Sequence, residues 1–178
     1  MEYHNILAFI KKHNFKKILV TGAHRSGTTF AAAAIAHDLG LLFYPEENIR
    51  GGSLVLLKDF QKTHKEYVMQ APGLSVNCHL VDFDIVIMMH RNLADIIDSM
   101  RKLNDRVIQF ELERIETMFG EKYVKLGLPL AKLAIFNEIQ KPLINNSAIL
   151  DYESLSNHPL WIPEAERKDW HIRQTWNK

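Results

Sequence analysis

Residues 17–40 read KILVTGAHRSGTTFAAAAIAHDLG. The opening run Lys17 to Thr21 is compact and apolar, β-branched at Ile18 and Val20, and stops at Gly22. That is the pattern of a buried strand feeding a turn. From Gly27 to Leu39 the alanine-rich run predicts a strong helix, closed by Gly40. Between strand and helix lies Gly22 to Thr29, with the two-glycine spacing of a phosphate-cradling P-loop. The glycines let the backbone turn tightly and approach an anion. The helix start offers unpaired N–H groups and the positive end of its dipole. His24 and Arg25 place imidazole and guanidinium in the loop, and Ser26, Thr28 and Thr29 add hydroxyl donors. A nucleoside triphosphatase loop carries Lys directly after the second glycine. Here that position is Thr28, and the cation, Arg25, precedes Gly27. No acid ends the apolar run 85–89, which passes into His90 and Arg91. Triphosphate handling and a bound metal are therefore not expected.

Working outward, Met1 to Asn14 patterns as a short amphipathic helix. Strand candidates are Leu41 to Tyr44 (broken at Pro45), Tyr67 to Gln70, Asp84 to Met89 and Ala148 to Leu150. Helix candidates are Ser53 to His64, Asn92 to Leu103, Asp105 to Phe119 and Pro129 to Ile139. Short apolar strands alternating with helices predict an α/β fold: three layers, a mainly parallel central sheet flanked by helices, of P-loop nucleotide-binding type. Such sheets bind ligands at the carboxyl ends of their strands. Strand order is not readable from the pattern. No repeat, linker or biased tract divides the 178 residues, which predicts a single domain over 1–178.

Lys+Arg 22 against Asp+Glu 21 leaves a formal net charge of +1. No global field points to nucleic acid, so an anion site has to be local. One cysteine, Cys78, excludes an intrachain disulfide and a cysteine-rich zinc site. No apolar run approaches the ~20 residues of a spanning helix, and Met1 to Asn14 lacks the features of a signal peptide. The expectation is a cytoplasmic protein without a membrane partner.

The segment Arg25 to Thr29 resembles the 5′-phosphosulfate loop, Arg/Lys-Ser-Gly-Thr-Thr, of sulfotransferases that use 3′-phosphoadenosine 5′-phosphosulfate (PAPS). That family holds the donor's 3′-phosphate with an Arg at the end of a buried strand and a Ser two turns into the following helix. Arg91 after the run 85–89, followed by Ser99, matches the interval. Residues eight apart lie on nearly the same helical face, so both can approach one anion. Arg offers a fork of donors and Ser a hydroxyl. The plainer reading of Arg91 is an ion pair with Asp95.

The resemblance implies a base for the acceptor proton. Protein-tyrosine and heparan-type sulfotransferases carry a Glu base one helix and one strand after the loop. Glu46 and Glu47 stand there, and the tyrosine-enzyme pattern maps its base onto Glu47, with Glu46 as the fallback. The family's Lys-x-Pro segment reads Gln70-Ala71-Pro72 here, which removes one cation from the reaction centre and leaves Arg25, alone or with His24 assisting. Arg167 and Lys168 resemble the family's closing Arg-Lys pair, without its glycine. The implied activity is sulfuryl transfer from PAPS, leaving adenosine 3′,5′-bisphosphate, to a hydroxyl or amine on a small molecule, sugar or peptide. The chain is short for the family, so the acceptor site is expected to be open or completed by a second copy in a homo-oligomer. Two alternatives are a P-loop kinase of a nucleoside or small molecule, and a non-catalytic relative that binds adenosine bisphosphate.

Overall fold

The computed structural model describes residues 1–49, 53–101 and 105–161. Five strands form one sheet: β1 Lys17–Thr21, β2 Leu42–Pro45, β3 Tyr67–Gln70, β4 Ile85–His90 and β5 Ser147–Asp151. Their order is β2-β3-β1-β4-β5, and every pairing is parallel. The sheet is thus wholly rather than mainly parallel. Ile18, Leu19 and Val20 of β1 are all fully buried, as befits a central strand covered on both faces.

Seven helices accompany the strands among the described residues: α1 Tyr3–His13, α2 Thr28–Leu39, α3 Leu54–Thr63, α4 Leu93–Met100, α5 Asp105–Phe119, α6 Glu121–Val124 and α7 Leu128–Ile135. Alternation along the strands divides the core. On one face Ile18, Val20, Phe43, Val68, Ile87 and Leu150 meet α1 and α2. On the other, Leu19, Met69, Val86 and Met88 meet Leu57 and Phe60 of α3, with Leu74 and Phe136. The alanines Ala31 to Ala34 of α2 are buried. Their small side chains let the helix lie close across β1, β2 and β3. A third cluster, including Ile96, Ile115, Tyr123, Leu128 and Ala131, joins α4 to α7 and reaches Ala23 in the loop after β1.

Several boundaries move. Pro45 closes β2 in register with Gln70 rather than breaking it; proline is tolerated on an edge strand because its missing N–H can face away from the ladder. The helix expected over 129–139 runs from Leu128 to Ile135 and then widens into a π-turn, Phe136–Gln140. The short α6 was not anticipated. No helix among the described residues is long and apolar enough to cross a membrane.

Candidate functional site

β1 has β3 on one side and β4 on the other, while the chain first fills the β3–β2 side and then returns to β4. The loop Gly22 to Thr29 therefore leaves the sheet where the winding reverses, which is where a ligand crevice opens in a parallel sheet. Gly22 and Gly27 take positive φ, and so does Arg25, at 69°. Gly27 is required for space as well as conformation: a Cβ there would lie 2.2 Å from the Tyr152 ring. At Gly22 a Cβ would come within 2.9 Å of Ser26 Oγ. Gly27 is the N-cap of α2 and no side chain caps the helix. Its first-turn N–H groups have no intrahelical acceptor and form the positive end of the helix dipole.

The hydroxyl of Ser26 is turned inward, fully buried, and donates to Ala23 O at 2.7 Å. That bond stiffens the loop. Thr28, also buried, accepts from Gln70 Nε2 at 3.4 Å. Thr29 is half-buried and Arg25 exposed.

The two basic motifs meet. Arg25 Nε donates to Ser99 Oγ at 2.9 Å, and Arg91 Nη1 donates to the Arg25 carbonyl at 3.3 Å. The Arg91 guanidinium lies 4.6 Å from the Tyr152 ring centroid, a cation–π contact on the ring that also covers Gly27. The pairing of Arg91 with Asp95 is present too, at 3.9 Å. Gly27, Arg25, Arg91, Ser99 and Tyr152 thus form one basic corner. Arg167 and Lys168 lie outside the described residues.

The Glu46–Glu47 pair sits on a 3-10 turn directly after β2. Glu47 is exposed. Glu46 turns inward, and its Oε1 accepts from the Gly73 N–H at 2.6 Å. The Glu46 N–H donates to Gln70 Oε1 at 3.3 Å, so Gln70 links this turn to Thr28 of the loop. Burial raises the Glu46 carboxyl to about 7, against opposing pulls from the Gly73 N–H and Lys132.

Sequence reasoning missed the charges behind Glu46. Lys132 of α7 is fully buried, 2.6 Å from Glu111 Oε2, and its Nζ donates to Pro72 O at 3.0 Å. Arg114 of α5 pairs with Glu111 at 3.3 Å and donates to Gly73 O. Glu111 and Arg114 lie in the helix expected over 105–119, whose pattern did not single them out. Lys132 carried a signal, being the lone charge in the apolar run 128–136. His24 lies against this cluster; burial, then Lys132, pushes its imidazole down to about 4. At neutral pH it is uncharged and adds no cation beside Arg25.

One group of metal-ligating types occurs among the described residues: His37, Asp38 and His158, at the far end of α2. The Leu160 N–H donates to His158 Nδ1 at 3.1 Å, which puts the ring proton on Nε2, facing Asp38 at 3.3 Å. A metal ligand would need the opposite tautomer. With Tyr3 Oη also donating to Asp38 at 2.9 Å, the group is a hydrogen-bonded knot joining α1, α2 and residue 158.

The chain matches no protein-family model and no curated protein.

Proposed function

We propose that the chain is a PAPS-dependent sulfotransferase. The observation that carries the reading is the corner where two motifs far apart in sequence meet. Arg25 in the loop reaches Ser99 on α4, with Arg91 bonded to the loop's own backbone. The residues fit such a donor: uncapped N–H groups of α2 with Arg25 suit the 5′-phosphosulfate, and Arg91 with Ser99 suits a second phosphate. Bound there, the donor supplies an activated sulfuryl group. Arg25 and the α2 N–H groups stabilise the negative charge that collects on the bridging oxygen as its bond to sulfur breaks. The attacking oxygen forms the new bond to sulfur, and its proton passes to the base.

Glu46 is the better base of the pair. A general base works best with its proton affinity matched to working pH, and burial brings Glu46 to about 7. Its carboxylate is aimed by the Gly73 N–H, whereas Glu47 faces solvent. Gln70 ties the base to the loop in place of the family's lysine.

Thermal shift tests the donor class. Adenosine 3′,5′-bisphosphate in chelator is expected to raise Tm, since a ligand at a hundredfold excess over Kd adds about 2.7 kcal/mol. A rise with ATP and magnesium but none with the bisphosphate would make the site a kinase's. A rise with the bisphosphate and no PAPS turnover across a phenol, sugar and peptide acceptor panel would make the chain a binding relative.

A further inference from the structure

The Pro72–Gly73 turn after β3 is gripped by side chains from three elements. Lys132 of α7 holds Pro72 O at 3.0 Å, Arg114 of α5 holds Gly73 O, and Glu46, after β2, accepts from the Gly73 N–H at 2.6 Å. Lys132 has no exposed surface, and its ammonium is already bonded to Pro72 O and paired with Glu111. It cannot touch a substrate. A buried ammonium nevertheless acts on its neighbours strongly, because little solvent screens it.

We propose that Lys132 is the positioning residue of Glu46: it fixes the turn that aims the Glu46 carboxyl and supplies the positive charge against which that carboxyl ionises. The proposal deepens the reading of Glu46 as the base and rests on it for its catalytic meaning. It also accounts for a site without a cation at Gln70, since the positive charge is delivered from α7, behind the reaction centre. Three other groups face Glu46. The Gly73 N–H favours its ionised form, and the Glu111 and Glu47 carboxylates oppose it. Lys132 is the charged side chain that acts on it most strongly.

The test is a carboxyl-carbon NMR titration of Glu46 in the donor-free protein, its signal assigned by loss in Glu46→Gln. In Lys132→Met the Glu46 proton affinity is expected to rise at least tenfold, and the acid limb of kcat/KM to move with it. A merely structural lysine would leave the midpoint where it is, and an unmoved midpoint in folded Lys132→Met overturns the proposal. Should that variant fail to fold, Lys132→Met/Glu111→Leu removes the buried pair together. Its midpoint is then expected above wild type by a smaller margin, because a repelling carboxylate has gone as well. A midpoint at or below wild type overturns the proposal. A shifted midpoint alongside full activity in Glu46→Gln would keep Lys132 as the partner of Glu46 and remove Glu46 as the base.

Discussion

Glu46 and Glu47 leave β2 on the same turn, but only Glu46 is drawn inward onto the Gly73 N–H. Glu46→Gln is expected to keep donor affinity and lose turnover by ~10²-fold or more, because an amide cannot take the acceptor proton. Glu47→Gln should stay within a few-fold of wild type; the reverse pattern in steady-state assays would return the role to Glu47. Gly27 offers a second comparison. A Cβ at Gly27 meets the Tyr152 ring, whereas at Gly40 it meets nothing within 4 Å, although both residues have positive φ. Gly40→Ala should cost about 1–2 kcal/mol from backbone strain alone. Gly27→Ala should cost clearly more in chemical denaturation, and equal costs would mean that Tyr152 yields freely. The loop glycines were legible because spacing encodes them. The resemblance favoured Glu47 with Glu46 as the fallback, and adjacency says nothing about which carboxylate a neighbouring turn will capture.

At the scale of elements, α4 and the loop share Arg91. Its guanidinium ties the Arg25 carbonyl to the Tyr152 ring and so braces one wall of the corner. Arg91→Ala is expected to weaken adenosine 3′,5′-bisphosphate binding by about 2 kcal/mol, roughly thirtyfold in Kd, with a far smaller effect on the fold. Ser99→Ala should cost less, because the hydroxyl it removes is neutral, whereas Arg91 brings a full charge to the anion. Wild-type affinity of Arg91→Ala by calorimetry would remove the second anion site. The apolar runs revealed all five strands because a covered parallel sheet demands them. Their order was hidden because nothing in such a run says which neighbour it takes. The helix read to Ile139 overshoots because Phe136 and Ile139 continue the apolar period through a backbone that has already widened at Phe136.

For the whole molecule, two part-buried groups, Glu46 and His24, act oppositely on stability between pH 4 and 7. Glu46 is raised to about 7, so the folded chain holds a proton there that the unfolded chain releases, and its ionisation lowers stability as pH climbs from about 4.5 to 7. His24 is lowered to about 4, so the unfolded chain binds a proton that the folded chain refuses. Stability therefore rises with pH from about 4 to 6.5. The two largely cancel in wild type between about 4.5 and 6.5. Glu46→Gln unmasks the histidine: its Tm should climb across that interval and exceed wild type at pH 8, by on the order of 2–3 kcal/mol in stability. Equal Tm at pH 8 would mean that Glu46 titrates like an exposed carboxyl. Below pH 4 both proteins should lose stability further as Asp38, Asp151 and Glu111, each held below its usual range, take up protons. None of this was legible in composition, since a net charge of +1 hides charges that fold against one another.

Tyr152, whose ring both covers Gly27 and carries Arg91, follows the last strand, while the loop it braces follows the first. During synthesis the loop leaves the ribosome long before its brace exists. A nascent chain can pair β1 with β3 and β4 and seat α2, yet Arg91 still lacks its aromatic seat and Gly27 its cover until β5 has joined β4. On the proposed function, ligand capture is therefore a late event in the life of each chain. Ribosome-stalled chains ending at Ile144 should not retain adenosine 3′,5′-bisphosphate, whereas released full-length chains should.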